Sequence, residues 1–175
     1  MVAFNVDTAA VIKRNGYVIG EVGKPPDLVI DVASSSTARK DYTIKRLAYA
    51  LFGVTEYWRF DPTGGRRYDA PLKGDTLVGD EYQDIPLHTE PDGLIWGHSA
   101  ALGLDLCWDN GRFRIYDPLS RRYLLTPDEL ADERDTVVAE RDATAAERDT
   151  ATAQRDAAIE RVRQLEEQLR NRPAE

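Results

Sequence analysis

The sequence predicts an α+β fold in which a compact region containing a β-meander precedes one long C-terminal α-helix. Three observations support this fold class. A β-branched run at 28–33 predicts a buried strand, short runs between turn signals predict hairpins over 66–125, and a seven-residue repeat after residue 126 predicts the helix. We therefore expect two domains in the 175 residues, 1–125 and 126–175.

The compact region opens with the strand at 28–33, which two prolines precede and a run of serines follows. A helix is predicted next, with the serines and Thr37 available as caps and Gly53 as its stop. Its apolar residues recur at helical spacing; they are Ile44, Leu47, Ala48 and Leu51. We expect this apolar stripe to cover Val29 on the strand, which fixes how the helix faces the sheet.

A second strand is predicted at 56–60, where the side chains alternate in character and the turn-forming residues 61–65 follow. Beyond it, turn signals at 73–75, 91–93 and 109–111 divide the chain into short strands. Asn110-Gly111 is the clearest of these signals, because this pair favours a two-residue hairpin turn.

The tail repeats an acidic or amide residue, Arg and Asp every seven residues from Glu133 onward. Thr126 is the predicted N-cap, Pro127 the first helical residue and Glu129 the partner in a capping box. We expect one helix from 127 to about 170. Its apolar seam is bulky only at the ends, so two interpretations stay open: a homo-oligomeric coiled coil or a largely solvated, partly frayed helix.

Charge and composition exclude several function classes. Residues 1–125 carry 15 basic and 17 acidic side chains, a net −2, and residues 126–175 carry the remaining −6. This acidity argues against strong nucleic-acid binding by the whole chain, although a locally basic site remains compatible with it. One cysteine and two histidines support neither an internal disulfide nor a structural zinc site. No apolar stretch is long enough for a membrane helix and no signal peptide precedes the domain, so we expect a cytoplasmic protein.

The residues with the strongest claim to chemistry are Asp27, Asp31 and Lys45. The two aspartates are four positions apart on the predicted strand, so they lie on one face. A carboxylate at a strand end suits Mg²⁺, and a nearby lysine suits a water molecule or a phosphate. The structural alternative is equally simple: Asp27 belongs to the turn after Pro26, and Asp31 forms an ion pair with Lys45 or Arg46.

The stretch PDLVIDVASSSTARKDYTIKRLAYALFGVTEYWRFDP, residues 26–62, resembles the signature of the Uma family of restriction endonucleases. That family is a branch of the PD-(D/E)xK nuclease superfamily and is common in bacteria. The meander and the charged tail also resemble one subgroup, so the resemblance covers nearly the whole chain. It implies a restriction-endonuclease-like core that hydrolyses DNA phosphodiesters with Mg²⁺.

Position by position, the resemblance makes Asp31 the metal-binding acid, Lys45 the catalytic lysine and Asp27 a second metal ligand. The neighbouring basic residues would meet DNA phosphates; they are Arg39, Lys40 and Arg46. Asp31 replaces the family's usual glutamate.

A second departure concerns the earlier Pro-Asp of the family, which would stand just before Met1. Two interpretations stay open: translation starts further upstream, or the chain is a truncated relative that lacks one ligand and part of its core sheet. For the chain as given we expect a defective nuclease, with Glu21 as a weak candidate substitute for the lost ligand. The alternative function is a non-catalytic interaction protein whose coiled-coil tail forms homo-oligomers.

Overall fold

The computed structural model describes residues 1–34 and 41–170. The chain forms two compact units, Met1–Leu124 and Leu125–Glu175. In chain order the elements are α1 Thr8–Arg14, α2 Ile19–Val22, β1 Leu28–Val32, α3 Asp41–Leu51, β2 Glu56–Phe60, β3 Leu72–Val78, β4 Glu81–Asp84, β5 His88–Thr89, β6 Ile95–Ser99, β7 Leu104–Asp109, β8 Arg112–Asp117, β9 Arg122–Tyr123 and α4 Pro127–Arg170. The α+β class, the meander and the long C-terminal helix are as predicted, whereas the short helices α1 and α2 were not anticipated.

The first sheet, sheet A, has the strand order β1-β2-β3-β4. β1 and β2 are parallel and are connected through α3, while the other pairs are antiparallel. The amide of Val2 also donates to the carbonyl of Leu28 at 2.8 Å, which ties the N-terminal segment to the start of β1. All five residues of β2 are buried, because both faces of this strand are covered. The alternating pattern of 56–60 therefore located the strand correctly but does not describe its burial.

The second sheet, sheet B, is an antiparallel meander of β5 to β9. Asn110 and Gly111 have φ values of 48° and 87°, so the predicted hairpin turn between β7 and β8 is confirmed. The turn at 91–93 is also confirmed between β5 and β6. The predicted break at 73–75 is wrong, since these residues lie within β3. A glycine is required at position 74 because a Cβ there would lie only 2.8 Å from the ring of Trp58.

Two apolar clusters hold the first unit together. One lies between the sheets and is built around Leu28, Trp58, Phe60, Leu72 and Leu106. The other lies between sheet A and α3; it contains Val29, Val54, Tyr57 and Tyr82, with Tyr49 and Ala50 of the helix packed against it. Sheet A is thus the middle layer of this unit.

The orientation of α3 corrects the sequence-based expectation. Val29 is buried as predicted, but Ile44, Leu47 and Leu51 are 67%, 66% and 85% exposed and do not cover it. The helix turns its other face to sheet A, with Tyr49 among the packed residues. Lys45 and Arg46 belong to that inward face, because they form ion pairs with aspartates of the sheet. The predicted caps Ser35, Ser36 and Thr37 lie outside the described residues.

The second unit consists of α4, a single helix of 44 residues. The predicted capping box is present: the Thr126 amide donates to Glu129 Oε2 at 2.8 Å, and the Glu129 amide donates to Thr126 Oγ1 at 3.3 Å. No Gly or Pro interrupts the helix after Pro127, which explains its continuity. Among the described residues, no helix combines the length and apolar character that crossing a membrane requires.

Candidate functional site

The predicted proximity of Asp31 and Lys45 is confirmed. Asp31 is the penultimate residue of β1, and Lys45 lies in the first half of α3. Lys45 Nζ lies 3.2 Å from Asp31 Oδ2, and the two side chains are 39% and 16% exposed. The pair is therefore a half-buried ion pair that solvent can still reach from the lysine side.

A tyrosine that the sequence reasoning did not single out completes this pair. Tyr57 is fully buried on β2, and its hydroxyl donates to Asp31 Oδ2 at 3.0 Å. In the parallel register Tyr57 is paired with Val29. Val29 is two residues before Asp31 on β1, so Tyr57 and Asp31 lie on the same face of the sheet. Tyr49 of α3 packs against the Tyr57 ring with a centroid separation of 5.1 Å. Tyr57 lies beside Asp31 because β1 and β2 pair in parallel. The sequence of the 56–60 segment does not by itself reveal this pairing, so the sequence analysis missed Tyr57.

The electrostatics of the cluster keep its donors protonated. Burial lowers the pKa of Lys45. The hydrogen bond to Asp31 and the Asp31 charge together raise this pKa by more than burial lowers it, so the pKa of Lys45 lies above its ordinary value. Burial and then the Asp31 charge raise the pKa of Tyr57 far above its usual range. The same two causes raise the pKa of Tyr49. At neutral pH the cluster thus presents an ammonium and a phenol to one carboxylate.

Asp27 lies apart from this cluster. Lys24 Nζ contacts both of its carboxylate oxygens, at 2.7 and 2.9 Å, and the Phe4 amide donates to Oδ2 at 2.7 Å. Burial raises the pKa of Asp27, yet the Lys24 and Phe4 hydrogen bonds and the Lys24 charge lower it below its ordinary value. Four residues of extended chain separate Asp27 from Asp31 by roughly 13 Å. The two carboxylates are therefore too far apart to hold one ion between them.

The basic residues predicted to bind phosphate have different positions. Arg46 donates to Asp75 Oδ1 through Nε and Nη2, at 3.1 and 3.0 Å, and to the Tyr82 carbonyl at 2.8 Å. Its guanidinium is thus engaged within sheet A. Arg39 and Lys40 lie outside the described residues.

Glu21, the weak candidate for a further metal ligand, lies on α2 and forms a surface ion pair with Arg14 at 3.4 Å. Across residues 1–34 and 41–170, no group of three or more His, Cys, Asp or Glu side chains is close enough together to hold a metal ion. Asp31 is consequently the one sequence-predicted ligand whose carboxylate stands beside the predicted lysine.

Comparison with protein families gives a match over the first part of the chain. The family model Uma2, described as "Putative restriction endonuclease", matches residues 6–107, which is more than half of the chain. No curated protein and no solved structure matches. The matched segment contains β1, α3 and the Asp31–Lys45 pair and ends within β7. It leaves out α4, although the resemblance in sequence was expected to extend over nearly the whole chain.

Proposed function

The chain belongs to the Uma2 family, described as "Putative restriction endonuclease", and from this membership we propose a metal-dependent DNA endonuclease with its site at Asp31 and Lys45. The observation that carries the proposal is the 3.2 Å contact between these two side chains at the end of β1. It brings a hard-oxygen ligand and a cation to one place, which is what hydrolysis of a phosphodiester requires.

The metal fits this site with a single protein carboxylate. Mg²⁺ commonly takes one or two carboxylates and completes its shell with water and substrate phosphates, so Asp31 alone is compatible with it. When bound, the ion supplies Lewis acidity and an activated water. Asp31 would hold it, and the Tyr57 hydroxyl, 3.0 Å from Oδ2, would orient the carboxylate. Lys45, as an ammonium, would contact the phosphate under attack.

The other sequence-predicted residues take secondary roles in this proposal. Asp27 was expected to be a second ligand, but its contacts with Lys24 and Phe4 favour a role in anchoring the N-terminal segment. Arg39 and Lys40 remain proposed phosphate contacts. The net charge of −8 means that DNA affinity would be local and sensitive to salt. We place this activity in the cytoplasm.

Cleavage of plasmid DNA by the full chain tests the proposal, with Mg²⁺ or Mn²⁺ titrated over a wide range. We expect Asp31→Asn and Lys45→Met each to reduce the cleavage rate by about 100-fold or more, because the first removes the proposed metal ligand and the second removes the proposed phosphate contact. Asp80→Asn, in an exposed turn, is the matched control for loss of one carboxylate. Asp27→Asn should keep most of the activity if Asp27 only anchors the N-terminal segment.

If the Asp31→Asn variant cleaves DNA at the wild-type rate, Asp31 has no part in the mechanism. If folded wild-type protein leaves DNA intact at every metal concentration, the enzyme proposal fails as a whole. That result would favour the second candidate below.

The second candidate is a non-catalytic interaction protein that assembles through α4. The observation that favours it is the exposure of bulky apolar side chains along this helix, including Val137 at 58% and Leu165 at 45%. A second copy of α4 in a coiled coil is the simplest way to bury them. Sedimentation velocity of the full chain should show an oligomer that the double variant Val137→Glu, Leu165→Glu converts to monomer. Thr150→Glu, on another face of the helix, should leave it unchanged.

A further inference from the structure

The outer face of sheet B carries a cavity that the proposed nuclease site does not use. It has a volume of about 310 Å³ and is lined chiefly by Glu90, Trp96, Asp105, Cys107, Tyr116 and Tyr123. Strand register explains why these side chains meet. Trp96 is paired with Cys107, and Asp105 is paired with Tyr116, which is paired with Tyr123, so all five point to the face opposite the inter-sheet core.

Aromatic rings form the walls. Tyr116 and Tyr123 pack edge to face with centroids 5.3 Å apart, and His88 stacks on Trp96 at 4.4 Å. The indole of Trp96 is held in place, since its Nε1 donates to Glu90 Oε1 at 2.9 Å. Tyr123 already receives a cation: the Arg114 guanidinium carbon lies 5.2 Å from the centre of its ring. That distance is within the range in which an aromatic face attracts a positive charge.

The ionised groups that line the cavity are acidic. Asp105 is only 8% exposed, and His98 Nδ1 lies 2.7 Å from its Oδ1. Glu90 supplies a second lining carboxylate, and none of the described lining residues is a lysine or an arginine. Burial, followed by the charges of Asp105 and Asp109, raises the pKa of the Cys107 thiol to about 11, so this group stays neutral. The cation beside the cavity is Arg114, which is paired with Cys107 on the same face and lies over the Tyr123 ring. A ligand cation would share that ring with Arg114 while it faces the carboxylates of Glu90 and Asp105.

From this combination we infer that the cavity binds an organic cation, specifically a methylated ammonium group. Aromatic faces and carboxylates together stabilise such a group, because its methyl groups contact the rings while its charge is attracted to both. A metal ion would fit poorly, since aromatic carbons cannot replace its hydration shell. The volume is at the lower end for ligand pockets, which favours a small molecule or one side chain. The group could come from a free choline-like amine or from a methylated lysine of a protein.

Titration of the full chain with choline tests the inference, with ionic strength held constant and binding measured by calorimetry. The matched ligand is 3,3-dimethylbutan-1-ol, which has the shape of choline without its charge. We expect choline to saturate the protein with a Kd of about 1 mM or below, and the neutral alcohol to bind at least about ten-fold more weakly. A parallel titration with Nε-trimethyllysine in a short peptide identifies the source: tighter binding than choline indicates a protein ligand, and weaker binding a free amine.

Variants assign the binding to this cavity. Tyr123→Leu should weaken choline binding by about ten-fold, whereas Tyr123→Phe, which keeps the ring, should bind as the wild type does. Glu90→Gln should weaken it several-fold while keeping an acceptor for Trp96, and Glu81→Gln, exposed on β4, is the charge-matched control. The inference is overturned if choline fails to saturate at about 100 mM. It is equally overturned if the neutral alcohol binds as tightly as choline, or if Tyr123→Leu has no effect in a protein with unchanged circular dichroism.

Discussion

Four of the carboxylates in and beside sheet A, namely Glu56, Asp61, Asp75 and Asp31, fall into two kinds, and their difference separates structural acids from the candidate catalytic one. Glu56, Asp61 and Asp75 are at most 1% exposed, and several donors surround each of them. Asp31 keeps 16% of its side chain exposed and has one lysine and one tyrosine as partners. All four are acids held on or near strands, so residue type alone does not distinguish them.

The three buried carboxylates are saturated with hydrogen bonds. Glu56 accepts from Trp58 Nε1 and the Ala101 amide at 2.9 Å, and also from the Ser99 hydroxyl. These contacts link sheet A to sheet B. Asp75 accepts from Arg59 at 2.7 Å and from Arg46 at 3.0 Å, which links β3 to β2 and α3. A carboxylate that is enclosed and fully bonded stabilises the fold, and it has no position left for a substrate.

The largest expected loss of folding stability comes from removing the negative charge of Asp75. Asp75→Asn should lower the free energy of unfolding by about 3–5 kcal/mol, because the Arg59 guanidinium, 3% exposed, loses the buried carboxylate that lies 2.7 Å from it. Asp31→Asn should lower it by about 1 kcal/mol or less, since Lys45 is partly solvated and the amide oxygen still accepts from Tyr57. Urea denaturation of both variants measures this. Equal destabilisation would mean that Asp31 is as structural as Asp75.

A smaller effect concerns acid stability at Asp61. Burial raises the pKa of Asp61, but hydrogen bonds from the Thr63 side chain and from the Tyr68, Thr63 and Arg67 amides outweigh this and lower the pKa below 3.8. Because the folded pKa is depressed, its contribution is fully present above pH 3.8 and is lost as the pH falls through the folded value.

Asp61→Asn should therefore reduce stability by about 1–3 kcal/mol at pH 7 and by progressively less below pH 3.8. Thermal unfolding of the variant and the wild type between neutral and acidic pH gives the comparison. A difference that stays constant over the whole pH range would show that the Asp61 charge is not the stabilising feature.

The smallest change in the free energy of unfolding is expected for a leucine on the outer, exposed face of α3, compared with a buried leucine. Leu47→Ala should change the free energy of unfolding by about 0.5 kcal/mol or less, because Leu47 is 66% exposed. Leu72→Ala, at a residue that is 1% exposed in the inter-sheet core, should lower it by about 2–5 kcal/mol. If the two variants are equally destabilised in chemical denaturation, α3 packs through its apolar stripe after all.

Local sequence signals predicted the elements whose cause is local. The capping box at Thr126 and Glu129 and the Asn110-Gly111 turn depend on residues close together in the chain, and both are present as predicted. The contact of Lys45 with Asp31 also followed from a strand and the next helix. The prediction at 73–75 failed because Gly74 indicates a turn in isolation, while in the fold it makes room for Trp58.

The sequence by itself determined the fold class, the main strands, the long helix and the pairing of Asp31 with Lys45, because hydrophobic period, caps and turns act over a few residues. Only the tertiary structure decided which face of α3 packs. Periodicity shows that Ile44 and Leu47 share a face, but ion pairs with Asp31 and Asp75 turn the opposite face toward sheet A. The tertiary structure also places Tyr57 beside Asp31 and brings the aromatic residues of the sheet B cavity together. Pairing between strands places side chains that are distant in sequence next to each other.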